Sequence, residues 1–339
     1  MIKLLLGGSP CTFWSIAQKN NRETTPTGLG WELFKNYLIA KQKFQPDYFL
    51  YENNVSAAEP IKQKIREELE VNDGTFFTMG KKNEYIEINS ALVSAQNRQR
   101  FYVHNCGEVG QPEDRGILLN HILEKRVNAI NAGEVETVQK AIPKIVKKYG
   151  YMPVMFNAYN NSKIDIKSPT LSTGSMVTSS CATTIFERTD EPLYKVNDGF
   201  ITIKSKQYPI KLPDGFYRIR KLTVTECERL QTLPDGYTDK GVSKTQRYKA
   251  IGNGWTAEVI IHILNNVLKN IPKNEKILVL SMYDGIATGR YCLDKMGFTN
   301  IEYHAYEIDK YAIKIANGNY PDIIQHGDAF QVKNNFIKF

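Results

Sequence analysis

Short apolar runs at 2–6, 48–51, 101–104, 276–281, 301–306 and 322–325 alternate with stretches of helical spacing. The clearest helical stretches are 31–43, 57–69, 257–269 and 310–317. Strands that alternate with helices bury both faces of a sheet, so the pattern predicts an α/β fold with a mostly parallel, doubly wound sheet. Between about 105 and 217 the character changes. The chain there is rich in Asn, Ser, Thr, Lys and Gly with weak periodicity, and 157–180 is especially polar. This reads as a smaller domain inserted into the α/β unit. Thr223-Val224-Thr225-Glu226 has the form of a capping box, which predicts a helix running to about Leu233, where Pro234 stops it.

No apolar run approaches the roughly 20 residues needed to cross a bilayer. The opening Met1-Ile2-Lys3-Leu4-Leu5-Leu6 is too short for a signal-peptide core and is read as a buried strand of a cytoplasmic protein. A net charge of +8 favours a polyanionic partner, because phosphate contacts release counterions. The cysteines, Cys11, Cys106, Cys181, Cys227 and Cys292, are widely spaced and form no CxxC pair. That spacing suggests neither a metal site nor a disulfide framework.

Chemistry concentrates in a few short segments. Gly7-Gly8-Ser9-Pro10-Cys11 ends a strand in a tight turn and places a thiol at the carboxyl edge of a parallel sheet, where α/β enzymes build their sites. An inconsequential loop cysteine would leave the same local signature. Tyr51-Glu52-Asn53-Asn54-Val55 puts a carboxyl group at the end of another strand, where burial can make it an acid; an exposed loop carboxylate is the plainer reading. In Gln96-Asn97-Arg98-Gln99-Arg100 the two arginines are two apart on an extended segment, so Arg98 and Arg100 share one face or a solvated charged edge. Val279 to Gly289 reads as a strand followed by a small-residue loop, without the GxGxxG dinucleotide pattern. Glu307 closes the next strand, where a carboxylate can hold ribose hydroxyls, and Gly327-Asp328-Ala329 closes the one after, placed to read an adenine amino group. A cofactor with ribose and adenine but no phosphates fits these features, namely S-adenosyl-L-methionine.

Together these segments resemble the DNA cytosine-C5 methyltransferase family. Gly8-Ser9-Pro10-Cys11 with Phe13 and Ser15 is similar to its catalytic-cysteine motif, Glu52-Asn53 to its ENV motif with an extra Asn54, and Gln96-x-Arg98-x-Arg100 to its QxRxR motif. The run from Arg220 to Gln231 resembles one of its most specific signatures, and Gly252-Asn253-Gly254 its last motif. The likeness is strongest to phage and bacterial members and to animal de novo methyltransferases. One departure is large: the cysteine segment comes first and the cofactor loop last, which is a circular permutation of the usual order. Tyr283 also stands where the family usually has phenylalanine.

The resemblance implies a Rossmann-like methyltransferase domain with a target-recognition domain inserted, in four segments. These are a catalytic half (1–105), a target-recognition domain (106–217), a helical return (218–270) and a cofactor-binding half (271–339). It implies methyl transfer to C5 of a flipped-out cytosine in double-stranded DNA by a monomer, in a prokaryotic or phage-infected cell, and service in restriction–modification. Cys11 would be the nucleophile, Glu52 would engage the ring nitrogen N3, and Arg98 and Arg100 would hold the O2 side. Tyr283, Asp284, Gly285, Ile286, Ala287, Thr288, Glu307, Ile308, Asp328, Ala329, Pro10, Leu29 and Asn253 would line the cofactor pocket, Leu29 by a loose alignment; no metal is implied. Three other readings stand beside this one: the same chemistry on tRNA, a silent DNA-binding homologue, and a nicotinamide dehydrogenase. The long insert disfavours the first, the presence of Cys11, Glu52 and Arg100 the second, and the missing phosphate-binding glycines the third.

Overall fold

A computed structural model describes residues 1–16, 20–71, 83–125, 131–171, 183–334 and 336. Cys181, part of the polar stretch 157–180 and residues 335 and 337–339 lie outside the described residues. The chain divides into two compact units, one of residues 1–93, 99–114 and 254–339, the other of 94–98 and 115–253.

The first unit is built on a seven-stranded sheet. In chain order its strands are β1 (Ile2–Gly7), β2 (Tyr48–Asn54), β3 (Glu84–Asn89) and β4 (Gln99–His104), and, from the far end of the chain, β12 (Ile277–Met282), β13 (Ile301–Tyr306) and β14 (Ile324–Gln325). They lie side by side in the order β14-β13-β12-β1-β2-β4-β3. From β14 to β2 every neighbour is parallel, while β4 runs antiparallel to both β2 and β3. β1 thus sits at the middle, with Leu4 opposite both Val279 and Tyr48.

All six residues of β12 are buried. Leu278, Leu280 and Met282 point into the core formed with helix Gly28–Phe44. Ile277, Val279 and Ser281 point the other way and are equally buried, which is the mark of a sheet covered on both faces. Helix Gly28–Phe44 buries Phe34, Tyr37, Ala40 and Phe44, one face at helical spacing, and ends where Gln45 turns left-handed at φ 49°. Helix Glu59–Glu68 begins two residues later than the expected 57–69 stretch, because Pro60 favours the first turn and leaves Ala58 extended.

The second unit contains strands β5 (Met155–Asn157), β6 (Ser162–Lys163), β7 (Thr184–Arg188), β8 (Tyr194–Asn197), β9 (Phe200–Ile203), β10 (Lys206–Pro209) and β11 (Gly215–Lys221). They form an antiparallel sheet in the order β10-β9-β8-β11-β7-β5-β6. Helix Glu136–Tyr149 packs Val138, Ala141, Ile142 and Ile145 into its core with Phe156, Val196 and Ile219. The strands are too short for alternation to show in the sequence as more than two or three apolar residues each.

The helix expected after Thr223 is Val224–Leu230, and both halves of the capping box are made. It stops before Leu233 because Thr232 adopts φ 56°. Glu226 is wholly buried, and it accepts from both terminal nitrogens of Arg220 at 2.8 Å and from the backbone N–H groups of Thr223 and Glu124. The Arg220–Gln231 signature therefore has a structural role through the buried Arg220–Glu226 ion pair.

Candidate active site

The site residues of the first unit stand at the carboxyl ends of its strands. β1 and β2 pair through Gly7 and Tyr51, so the turn Gly8-Ser9-Pro10 leaves the sheet beside Glu52 and Asn53. A side chain at Gly8 would put its Cβ 2.7 Å from the Glu52 carbonyl oxygen and 3.0 Å from its Oε2, so glycine is what permits this approach. Asn53 is buried and its amide donates to the Ser9 carbonyl at 2.9 Å and to the Tyr51 hydroxyl at 3.0 Å. Ser9 Oγ and the Tyr51 hydroxyl are 2.7 Å apart, and burial holds the Tyr51 phenol far above its ordinary range, hence neutral.

Cys11 opens a 3₁₀ turn, Cys11–Phe13, and its carbonyl accepts from Trp14 N and Ser15 N. Among the described cysteines it alone is not buried. Burial pushes the Cys227 and Cys292 thiols well up, which makes them inert as nucleophiles. The segment after Cys11 is tied down by Glu23, which accepts from the Trp14 indole at 3.1 Å and from Gly30 N at 3.1 Å. Arg22 adds a bond to the Ser56 carbonyl at 2.7 Å, joining this segment to the one that follows Glu52.

Glu52 is largely buried. Its Oε1 lies 3.0 Å from Arg100 Nε and its Oε2 accepts from the Trp255 indole N–H at 3.0 Å. Arg100 reaches it from β4, the antiparallel neighbour. Arg98 belongs to the second unit, where it is buried and donates to the carbonyls of Leu171 (3.2 Å) and Gly252 (3.3 Å). Trp255 was not singled out among the candidate residues of the sequence. The available signal was an aromatic N–H donor directly after the glycine turn Gly252-Asn253-Gly254.

The small-residue loop after β12 is strongly kinked. Tyr283, Gly285 and Ala287 take φ of 62°, 64° and 61°, unusual for tyrosine and alanine and typical of loops that serve a ligand. The Tyr283 hydroxyl donates to the Leu33 carbonyl at 2.7 Å. Asp284 Oδ1 accepts from Ser281 (2.7 Å) and Tyr303 (2.6 Å), while its Oδ2 is shut from solvent and meets no donor. Burial pushes the Asp284 carboxyl up to about 6, with the nearby Glu307 charge acting in the same direction. Ile286, Ala287 and Thr288 are buried as helix Thr288–Lys295 begins.

Glu307, at the end of β13, accepts from three backbone N–H groups: Gly285 at 2.8 Å, Ile308 at 2.7 Å and Asp309 at 2.8 Å. It thereby fixes the Tyr283–Ala287 loop to the next turn. Ile308 projects outward, 72 % exposed. Asp328 caps the 3₁₀ turn Ala329–Lys333 and, with Tyr306, His326 and Gln331, lines a cleft of ≈ 400 Å³. Ala329 is buried beside it, Leu29 is exposed in the first turn of Gly28–Phe44, and Pro10 is exposed. Asn253 ends helix Lys244–Asn253 in the second unit and is exposed.

A Type II methyltransferase of Fusobacterium nucleatum, M.FnuDI, is 24% identical over 302 residues, covering 80% of this chain and 78% of that protein. A crystal structure of a triple mutant of DNMT2 from Spodoptera frugiperda is similar at a TM-score of 0.46 and 16% identity, covering 78% of this chain and 79% of that one. The family model described as C-5 cytosine-specific DNA methylase matches residues 1–269. The chain belongs to the C-5 cytosine-specific DNA methylase family, and it is a DNA cytosine-5 methyltransferase.

Proposed function

We propose that the chain transfers a methyl group from S-adenosyl-L-methionine to C5 of a flipped-out cytosine in a specific double-stranded DNA sequence, through a covalent Cys11–C6 adduct. The observation that carries this is the junction of β1 and β2, where the Cys11 turn is bonded to Asn53 and packed against Glu52. A pyrimidine inside a duplex cannot reach a thiol at a strand end, so the base must leave the stack. Cys11, as thiolate, adds to C6. Glu52 hydrogen-bonds or protonates N3 and so draws electron density from the ring, and Arg100 supplies positive charge beside it. C5 then takes the methyl group, its proton leaves to a base, and Cys11 is expelled as the ring regains its double bond.

The cofactor loop fits S-adenosyl-L-methionine, which supplies the electrophilic methyl group when bound. Asp284 carries a buried carboxylate oxygen without a donor, suited to a cationic or hydroxylic partner. The cleft beside Asp328 and the outward Ile308 suit a flat heterocycle. Tyr283, Gly285, Ile286, Ala287, Thr288, Glu307, Ala329, Pro10 and Leu29 are assigned to the same pocket, and Asn253 and Arg98 keep their roles on the strength of the motif resemblance. Residues 107–216 are assigned to sequence choice, acting on DNA as a monomer. The name of the Fusobacterium relative favours a role beside a restriction enzyme.

We also infer that the motif order is circularly permuted. β1 lies between β12 and β2 in the sheet; β2 is the next strand in the chain, whereas β12 comes from its far end. The family match ends at residue 269, ahead of the cofactor loop.

Bisulfite sequencing of DNA from cells expressing the chain tests the reaction, the base and the site together. Conversion-resistant cytosines in one sequence context are expected. Methylated tRNA with unmodified DNA would overturn the substrate. DNA carrying 5-fluorocytosine at the target should trap the protein covalently, since fluorine blocks the last elimination, and Cys11→Ser should abolish trapping.

A further inference from the structure

Glu52 is largely buried, and one of its two side-chain partners has no role in the reaction as written. Arg100 Nε reaches Oε1 at 3.0 Å and Trp255 Nε1 donates to Oε2 at 3.0 Å, across 203 residues of chain. We propose that Trp255 is a positioning residue that sets the plane of the Glu52 carboxyl group for the flipped cytosine. The proposal rests on the cytosine-C5 reading of the site.

The terminal torsion of glutamate is broad and two-fold, so a carboxyl group held at one oxygen still rotates. A donor on each oxygen removes that freedom. Cytosine presents its ring nitrogen N3 as an acceptor and its amino group as a donor in one plane, so a carboxyl group engages both only when it is coplanar with the base. Setting the plane beforehand lowers the ordering cost at the moment of reaction.

Trp255 is suited to this in two ways. Its indole N–H is a donor only, so it cannot take a proton from Glu52 or replace it as an acid. Its backbone is also firmly held. The next residue, Thr256, is the N-cap of helix Ala257–Leu268 and accepts from the buried Ser90 hydroxyl at 2.9 Å. Val259, Ile260 and Ile263 of that helix are fully buried. On the other side, the Gly8 backbone passes so close to Glu52 that a Cβ there would sit 3.0 Å from its Oε2.

The test is Trp255→Phe in the full chain, which keeps an aromatic ring and removes the donor. kcat should fall about tenfold, as for one lost hydrogen bond to a charged group, with the KM for DNA nearly unchanged. In a Glu52→Gln background the same substitution should cost nothing further, since the two residues act as one unit. Wild-type kcat, a loss confined to KM, or an additive loss in the double variant overturns the proposal. If Trp255→Phe fails to fold, benzothienylalanine at 255, which replaces the N–H by sulfur at equal shape, decides between the same outcomes. A wild-type chain that methylates no cytosine overturns the underlying reaction, whereas an active wild type with an unaffected Trp255 variant overturns the positioning role alone.

Discussion

The side-chain amide of Asn53 donates to the main-chain carbonyl of Ser9 at 2.9 Å, joining the end of β2 to the turn that carries Cys11. The same amide reaches the Tyr51 hydroxyl, which lies 2.7 Å from Ser9 Oγ. The turn that carries Cys11 and the strand end that carries Glu52 are thereby tied through buried polar atoms.

Asn53→Ala should leave the buried Ser9 carbonyl and Tyr51 hydroxyl short of a partner. A loss of about 1–3 kcal/mol in unfolding free energy is expected, measured by urea titration. The rate of trapping on 5-fluorocytosine DNA should fall as well, since the Cys11 turn loses its tie. An Asn53→Ala protein of wild-type stability would show that the bond contributes little.

Gly8→Ala tests the close approach of the two strand ends. The new methyl group would meet the Glu52 carbonyl at 2.7 Å, a backbone atom that cannot step aside freely. A displacement of about 1 Å in the reacting groups costs roughly a hundredfold in rate. kcat/KM is expected to fall by that order while calorimetric binding of S-adenosylhomocysteine persists. Full activity would mean the strands separate at no cost to the chemistry.

Asp284 makes stability depend on pH. Its folded value is pushed up to about 6 by burial, above the ordinary 3.8 of an unfolded carboxyl group. The folded state therefore holds the proton more tightly. The contribution of Asp284 to stability is greatest below about pH 4 and is lost as pH rises toward about 6, by an amount on the order of 1–3 kcal/mol. Asp284→Asn removes the charge, so its stability advantage over the parent should be largest at pH 7.5 and shrink on acidification to pH 4.5. An advantage that does not vary with pH would sink this account. If Asp284 Oδ2 serves the cofactor, the same variant should bind S-adenosylhomocysteine about tenfold more weakly.

The permutation proposed above predicts that the chain can be reopened. Lys43 Nζ lies over Phe336 and Lys3 Nζ over Phe44, so the start of β1 and the last described residue pack against the same helix end. Pro272, Lys273 and Asn274 form an exposed turn before β12. Joining Phe339 to Met1 through a few flexible residues and opening the chain near Lys273 leaves every strand neighbour unchanged. Methylation within about tenfold of the parent is expected, because exposed turns tolerate cutting. A folded but inactive product would count against permutation.

What the sequence determined by itself was whatever depends on neighbours along the chain. Alternating apolar runs and helical stretches specify the parallel sheet, because burial periodicity is a local property. Thr223 and Glu226 specify a helix start three residues wide, and both of its hydrogen bonds form. Pro10 and Cys11 after β1, and Glu52 toward the end of β2, were legible as strand-end chemistry for the same reason. Tertiary structure decided the rest. The antiparallel sheet of the second unit comes from strands too short to carry a period, and it is completed by partners far apart in the chain. Glu52 acquires Arg100 from an antiparallel neighbour and Trp255 from the start of a helix 203 residues away. Arg98 and Arg100, two residues apart, are divided between two compact units. Hydrogen-bond partners at such separations are set by how sheets and helices pack, and no spacing along the chain encodes that.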